Sequence, residues 1–181
     1  MTEFSNKTVI ITGGADGIGK ALSLKLVKAN ARVIITDINE EKLTRLSEAI
    51  DDTGARATFE VLDVTNEIAV QQLVNDVKDE FGQIDYIFNN AGIAVTGDGR
   101  DISMEQCRKV TYVNQWGVIH GAMAAYKIMA EQGHGHIVNI ASLAGLIPFP
   151  GNLPYSATKF AVVGLSMSLR DEAQDLGVKV S

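Results

Sequence analysis

The chain has 181 residues, of which 46% are hydrophobic and 21% charged, and this length and composition suit one folded domain with a substantial core. The formal net charge is −6 and no stretch is rich in Lys and Arg, so we expect no nucleic-acid partner. No apolar run reaches the roughly 20 residues that a membrane-spanning helix needs, and with Cys107 as the only cysteine an internal disulfide is excluded and a cytoplasmic protein is expected.

The first motif is a predicted strand, residues 7–12, that runs directly into a glycine-rich turn and a helix at residues 20–27. Glycines let the backbone approach a pyrophosphate closely, and the N-terminus of the helix supplies free N–H groups and a positive dipole end. The turn is therefore predicted to bind the phosphates of a dinucleotide. Its predicted cofactor-binding residues are Gly13, Asp16, Gly17, Ile18 and Gly19.

A second predicted strand, residues 32–36, ends at Asp37, which stands 20 positions after Gly17. Dinucleotide sites place a carboxylate at this distance to bind the ribose hydroxyls of the adenosine. Asp37 has an alternative role as a helix cap, but Asn39 is better placed for capping. A 2′-phosphate would be repelled by the carboxylate, and neither position 16 nor position 38 carries Arg or Lys. The sequence therefore predicts NAD rather than NADP.

Strands and helices alternate along the rest of the chain. Further strands are predicted at residues 56–62, 85–88 and 136–141, with another beginning at 178, and helices at 66–81, 103–132 and 155–176. This alternation predicts an α/β fold, a Rossmann-type doubly wound parallel sheet in a three-layer α/β/α arrangement. Ligands of such sheets bind at the carboxyl ends of the strands. Candidate residues at those ends, beyond the glycine turn, are Asp37, Asp63, Val64, Asn90, Ala91, Gly92 and Ser142.

Tyr155 and Lys159 are four residues apart on a predicted helix, so their side chains share one face. A positive charge one turn away favours the deprotonated phenol, which makes Tyr155 a candidate proton donor and acceptor for the interconversion of a carbonyl and an alcohol. The spacing alone is weak support for catalysis, because Tyr and Lys meet in this way on many exposed helices.

Three motifs occur in a fixed order: Gly13-x-x-x-Gly17-x-Gly19, Asn89-Asn90-Ala91-Gly92 and Tyr155-x-x-x-Lys159. With these motifs the chain resembles the short-chain dehydrogenase/reductase family over nearly its whole length. The resemblance implies hydride transfer between NAD and a small secondary alcohol or ketone. It also implies a catalytic tetrad, Asn114, Ser142, Tyr155 and Lys159.

The same resemblance assigns a role to each member of the tetrad. Tyr155 would exchange the proton, Lys159 would assist it and hold the nicotinamide ribose, and Ser142, 13 positions before Tyr155, would stabilise the substrate oxygen. Asn114 lies within a predicted helix, where asparagine is a poor former, and would hold a water that relays protons from Lys159. For Ser142 the alternative is a loop cap, and for Asn114 a bend in the helix without a catalytic role.

The resemblance also places the remaining cofactor contacts. Asp63 and Val64 would contact the adenine, and Asn90, Ala91 and Gly92 would line the cofactor, whereas Asn89 would be structural. No metal site is expected, because two histidines on one turn, at positions 134 and 136, do not provide enough ligands.

Full-length members of the family continue beyond the point at which this sequence stops. They have a complete strand, a Pro-Gly segment beside the nicotinamide, a mobile substrate lid and a final strand. We therefore expect residues 1–181 to form a single NAD-binding Rossmann domain that contains the tetrad and lacks those parts.

The family also assembles through its two long helices, which predicts a homodimer or homotetramer. The predicted contact faces carry Val118, Ala122, Ala125, Ala161, Leu165 and Leu169. Two alternatives remain open: a non-catalytic NAD-binding or interaction module of the same fold, and a sugar-nucleotide epimerase or dehydratase.

Overall fold

The computed structural model describes residues 3–51 and 57–181, which form one six-stranded parallel sheet flanked by helices. The strands are β1 Thr8–Thr12, β2 Arg32–Asp37, β3 Ala57–Val61, β4 Tyr86–Asn89, β5 Gly135–Asn139 and β6 Val178–Val180. The helices are α1 Gly17–Lys28, α2 Glu40–Asp51, α3 Glu67–Phe81, α4 Met104–Thr111, α5 Gly117–Gln132 and α6 Leu153–Ala173. The strand order β3-β2-β1-β4-β5-β6 confirms the predicted doubly wound fold. Of the strand predicted at residues 56–62, the first residue lies outside the described part of the chain.

The sheet separates two hydrophobic clusters, because successive residues of a strand point to opposite faces. Val9 and Ile11 of β1 pack with α1 and α2 on one face. Ile10 of the same strand packs with α3, α5 and α6 on the other face. All three side chains are fully buried. Burial on both faces explains why β1 reads as a continuous apolar run rather than an alternating one.

Helices α4 and α5 form one continuous helix that widens into a π-helical turn at Tyr112–Trp116. A capping box is present at its start, where Gln106 N donates to Ser103 Oγ and Ser103 N donates to Gln106 Oε1. In the π turn, Gly117 N donates to the Tyr112 carbonyl five residues back. Such turns are rare and frequently occur at functional sites, and this one contains Asn114.

The structure corrects four of the six residues predicted on the assembly faces, whereas Ala161 and Leu165 are half-buried. Val118, Ala122, Ala125 and Leu169 are buried in the chain's own core and are not available to a partner. Their small or apolar side chains face the sheet and α3, because that is the side on which the helices pack.

Exposed apolar side chains of the same helices lie on the opposite faces. Among them are Tyr112, Trp116 and Met123 on the long helix and Phe160 and Met167 on α6. Among the described helices, none combines the length and the hydropathy needed to cross a membrane.

Candidate functional site

A cleft of about 610 Å³ opens at the carboxyl ends of β1, β2 and β4. The neighbours of β1 in the sheet are β2 on one side and β4 on the other, so the chain reverses direction across the sheet at this point. Doubly wound sheets bind their ligands at such a switch point. The structure brings ten of the predicted cofactor residues to the walls of this one cleft: Gly13, Asp16, Gly17, Ile18, Asp37, Asp63, Val64, Asn90, Ala91 and Gly92.

The glycine turn is shaped by close backbone contacts. A Cβ atom at Gly19 would lie 2.0 Å from the Gly13 carbonyl oxygen, and one at Gly13 would lie 2.8 Å from Ala91 Cα. Gly13 and Gly17 both have a positive φ, +62° and +49°, but a Cβ at Gly17 would meet nothing within 4 Å. The loop is therefore packed against protein at Gly13 and Gly19 and is open at Gly17. The chain thus has the backbone cradle that a dinucleotide pyrophosphate requires.

Asn90 fixes the glycine turn to the loop after β4. Its Nδ2 atom donates to the carbonyl oxygens of Thr12 and Gly13 at 3.0 and 2.9 Å. In return, Thr12 Oγ1 accepts from the amides of Asn90 and Ala91 at 3.1 and 3.2 Å. These four bonds join the two walls of the cleft, so Asn90 fixes the shape of the glycine turn.

Asp37, at the carboxyl end of β2, has partners of its own within the chain. Its Oδ2 accepts from Ala15 N at 3.2 Å and its Oδ1 from Asn39 N at 3.0 Å. Asn39 caps α2 as predicted, since its Oδ1 accepts from Lys42 N at 2.9 Å. Asp37 is therefore less free than the sequence indicates, but a carboxylate has about four acceptor positions, which leaves room for two ribose hydroxyls.

Asp16 forms an ion pair that the sequence analysis missed. Its Oδ1 caps α1 by accepting from Gly17 N at 2.8 Å, and its Oδ2 lies 2.6 Å from Lys42 Nζ. The hydrogen bond from Lys42 holds the pKa of Asp16 below its usual value, and the same bond raises the pKa of Lys42. The available signal was the cap at Asn39, which places Lys42 in the first turn of a helix that begins at the cleft.

Two further residues near the cleft were also missed. Lys109 lines it from α4. His120 Nδ1 lies 2.9 Å from the carbonyl oxygen of Val64, one of the predicted adenine contacts. Asp63, the other, is fixed by its own loop, because its Oδ1 accepts from the amide and the hydroxyl of Thr65 at 2.9 and 2.8 Å.

Lys159 is nearly fully buried, with 4% of its surface exposed. Its Nζ donates to the Ile140 carbonyl at 2.6 Å and lies 5.6 Å from the centre of the Tyr155 ring. Burial lowers the pKa of Lys159 below its usual value of 10.5. A lysine that is buried without an ion pair among the described residues is costly to retain for stability alone, which favours a functional role for its charge.

Asn114 connects the cleft to α6. Its Oδ1 accepts from Ile93 N at 2.8 Å, and its Nδ2 donates to the Ile93 carbonyl at 2.8 Å and to Thr158 Oγ1 at 3.3 Å. Thr158 in turn donates to the carbonyl of Tyr155 at 2.7 Å. Both amide hydrogens of Asn114 are therefore in use, and the side chain holds the segment after Gly92 against the helix that carries Tyr155.

Ser142 follows β5 and has the capping role that the sequence left open. Its Oγ accepts from Ala144 N at 3.2 Å and so caps a short 3-10 turn, Leu143–Gly145. The hydroxyl hydrogen remains available to a substrate oxygen. Among the described residues, no group of three His, Cys, Asp or Glu side chains is arranged to hold a metal ion.

Asn89 is structural, as the resemblance implies. Its Nδ2 donates to Asn139 Oδ1 at 2.8 Å, and Asn139 Nδ2 donates to Ser166 Oγ at 2.9 Å. All three side chains are buried. The chain of bonds joins β4, β5 and α6 beneath the cleft.

Comparison with known proteins places the chain in a family. The family model described as short chain dehydrogenase matches residues 7–181. A Mycobacterium tuberculosis relative named SadH is 37% identical over 172 residues, which cover 95% of this chain and 62% of the relative. The chain therefore belongs to the short-chain dehydrogenase family, and it spans less than two thirds of the length of that relative.

Solved structures of the family agree closely with the fold. A short-chain dehydrogenase/reductase from Burkholderia phymatum in complex with NAD has a TM-score of 0.94 at 34% identity, covering 100% of this chain and 66% of its own. A gluconate 5-dehydrogenase from Burkholderia cenocepacia in complex with NADP and tartrate has a TM-score of 0.90 at 32% identity, covering 97% of this chain and 69% of its own. Both nicotinamide cofactors thus occur among similar structures.

Proposed function

We propose that the protein is an NAD-dependent oxidoreductase that transfers hydride between NAD(H) and a small secondary alcohol or ketone. The observation that carries this proposal is the position of Lys159, which is buried beside Tyr155 and donates to the Ile140 carbonyl just after β5. The glycine cradle and Asp37 lie at the same carboxyl edge of the sheet. This arrangement would bring a proton donor, a cation and a dinucleotide cradle to one side of the fold.

The cradle would hold the pyrophosphate on the backbone amides of the turn and the N-terminus of α1, where the helix dipole favours negative charge. Asp37 would accept the adenosine ribose hydroxyls, and Val64 would lie against the adenine. The nicotinamide, when bound, supplies the hydride or accepts it. This chain's own residues hold, orient and manage the proton.

Tyr155 would donate a proton to a carbonyl oxygen during reduction and take it back during alcohol oxidation. The ammonium of Lys159 favours the phenolate form that the oxidation direction needs, and its bond to the Ile140 carbonyl fixes the position of that charge. The Ser142 hydroxyl would donate to the substrate oxygen as negative charge develops there.

Asn114 would support this arrangement from behind. Its bonds to Ile93 and Thr158 hold the cleft wall and the Tyr155 helix in register. Because both of its amide hydrogens are taken, a relay water would bind to the remaining acceptor positions of this residue or to the carbonyls of the π turn around it.

The preference for NAD over NADP would rest on Asp37. Its carboxylate accepts from hydroxyls and repels a 2′-phosphate, and its bonds to Ala15 and Asn39 keep it pointed at the cleft. Binding of NADP as tight as that of NAD would contradict this assignment.

We also propose that the protein forms a homodimer or homotetramer through the exposed faces of the long helix and α6. The exposed stripes carry Trp116 and Met123 on one helix and Phe160 and Met167 on the other. Exposed aromatic and methionine side chains of this kind are typical of protein–protein interfaces.

Replacement of Tyr155 by Phe tests the catalytic proposal, because it removes the hydroxyl and keeps the ring. Turnover of a panel of secondary alcohols with NAD should fall by about two to four decades, while NAD binding measured by calorimetry should stay the same. Tyr126→Phe is the matched control, since that partly buried tyrosine packs against the core away from the cleft. Unchanged turnover in Tyr155→Phe would assign the proton to another group, and NAD binding without turnover in the unmodified chain would favour a non-catalytic binding module.

A further inference from the structure

The adenosine end of the cleft carries a cation as well as carboxylates. Lys42 lines the cleft together with Asp16 and Asp37, although it belongs to α2 and the two acids lie at the ends of other elements. Its Nζ lies 2.6 Å from Asp16 Oδ2, so the ammonium is held at the glycine turn. Apart from Lys42, the only Lys or Arg of the described residues that lines the cleft is Lys109 of α4.

The ion pair is exposed, which limits what it does for stability. The side chains of Lys42 and Asp16 are 46% and 68% exposed. Exposed pairs of this kind contribute little to folding, because water and salt screen them. The cap of α1 does not need Lys42 either, since Asp16 reaches Gly17 N through its other oxygen. The pair therefore matters mainly through where it places positive charge.

The charges of the three side chains can be arranged in two ways. With Lys42 bound to Asp16, the pair is neutral and Asp37 is the remaining charge at the ribose. Without the carboxylate at position 16, Lys42 becomes a free ammonium at the same rim. It would then pair with Asp37 and cancel its charge, or bind a phosphate on the ribose directly. Either arrangement removes the repulsion that excludes NADP.

We propose that Asp16 sets the preference for NAD over NADP by holding Lys42, and that Lys42 becomes a 2′-phosphate-binding residue when Asp16 loses its charge. This inference rests on the proposed function and names a specificity switch within the same site. Asp16 acts as a positioning residue, since its effect on the nucleotide passes through Lys42.

The test is a double-mutant cycle of Asp16→Asn and Lys42→Met, with calorimetric titration of the 181-residue chain. Asn at position 16 keeps an oxygen for the Gly17 amide, so α1 stays capped. The probes are 5′-AMP, which carries the adenosine half without the 2′-phosphate, and 2′,5′-ADP, which carries it with the 2′-phosphate. Lys28→Met is the matched control, because it removes an exposed lysine of α1 away from the cleft.

In Asp16→Asn the affinity for 2′,5′-ADP should rise by about fivefold, the scale of an exposed charge contact, while that for 5′-AMP should stay level or fall. Lys42→Met in the Asp16→Asn background should abolish the rise, and Lys42→Met alone should weaken 2′,5′-ADP binding. High salt should reduce the gain. Lys28→Met should leave both affinities unchanged.

Two results would overturn the inference: an Asp16→Asn chain that binds 2′,5′-ADP no better than the unmodified chain, or a double variant that keeps the gain. Failure of the proposed function gives a different pattern. A chain that binds 5′-AMP and shows the coupling but turns over no alcohol keeps the inference and loses the activity. A chain that binds neither probe overturns both.

Discussion

Gly17 and Gly19 belong to the same turn but should respond differently to replacement by alanine. A Cβ at Gly19 would lie 2.0 Å from the Gly13 carbonyl oxygen and 2.6 Å from Asn90 Nδ2, whereas a Cβ at Gly17 would meet nothing within 4 Å. Gly19→Ala should therefore destabilise the chain without any ligand. Gly17→Ala should mainly weaken nucleotide binding, because its methyl group would project into open space at the cleft.

The size of the Gly19 effect follows from the contacts that must move. The loop has to shift, which costs about 1–3 kcal/mol as overpacking, and each hydrogen bond that Asn90 loses to Thr12 and Gly13 costs about 0.5–1.5 kcal/mol. The higher helix propensity of alanine in the first turn of α1 offsets at most about 1 kcal/mol of this loss of stability. We expect Gly19→Ala to lower the free energy of unfolding by about 3 kcal/mol. Gly17→Ala should lower it by about 1 kcal/mol, because a left-handed φ disfavours a side chain.

The free energy of unfolding is measured by urea titration. Unfolding is followed by the fluorescence emission of Trp116, the only tryptophan, and by far-ultraviolet circular dichroism. Calorimetric titration with NADH measures nucleotide binding, and Gly17→Ala should raise the dissociation constant by about tenfold or more, equivalent to at least about 1.4 kcal/mol. Equal stability of Gly19→Ala and the unmodified chain would refute the packing argument. A Gly17→Ala chain that binds NADH normally would refute the open cradle.

Three further predictions concern charge and assembly. Burial raises the pKa of Asp85, but its hydrogen bonds, that from Lys7 first, outweigh burial and hold this pKa below its usual 3.8. The stabilisation is present above pH 3.8 and should be lost as the pH falls through the lowered pKa. Asp85→Asn should therefore make the free energy of urea unfolding fall less steeply at acid pH, and an unchanged pH dependence would contradict the pairing of Asp85 with Lys7. Burial lowers the pKa of Lys159, so the positive charge beside Tyr155 is present at lower pH and is lost as the pH rises through a value below 10.5. Turnover should fall in that pH range, and Lys159→Arg should move the fall to higher pH. An unmoved pH profile of turnover would assign the fall to another group. Gly164→Arg on α6 should convert the proposed dimer to a monomer in sedimentation. The folded monomer should tolerate the larger side chain, because a Cβ at Gly164 meets nothing within 4 Å. An unmodified chain that is already monomeric at tens of micromolar would contradict the proposed interface.

The sequence by itself determined the order of elements and the position of the cleft. Strand β1 is apolar on both faces, the glycine turn follows it at once, and Asn39 is a local cap, so each of these features depends on neighbours in the chain. Parallel strands bring their carboxyl ends to one edge of the sheet. For this reason the sequence alone predicts that the glycine turn, Asp37 and the Asn90 loop lie close together.

Features that depend on which helix face meets the sheet could not be placed in this way. An apolar stripe such as Val118 and Ala122 on α5 reads the same whether it packs on the chain's own core or on a partner, and only the tertiary structure shows that it is buried within the chain. Asn114 stood out in the sequence because asparagine is a poor helix former. Its hydrogen-bond partners, Ile93 and Thr158, could not be predicted, because they lie 21 and 44 positions away.

The charged residues of the cleft show the same division between what the sequence predicts and what only the tertiary structure decides. The sequence supplied Asp16 and Asp37, whose positions are fixed by the turn and the strand end. Lys42 is 26 positions from Asp16 and meets it only because α1 and α2 both begin at the carboxyl edge of the sheet. Local spacing therefore determined the cradle and its carboxylates, whereas the cation that faces them was decided by tertiary packing, since side-chain contacts between separate elements depend on distances that the sequence does not contain.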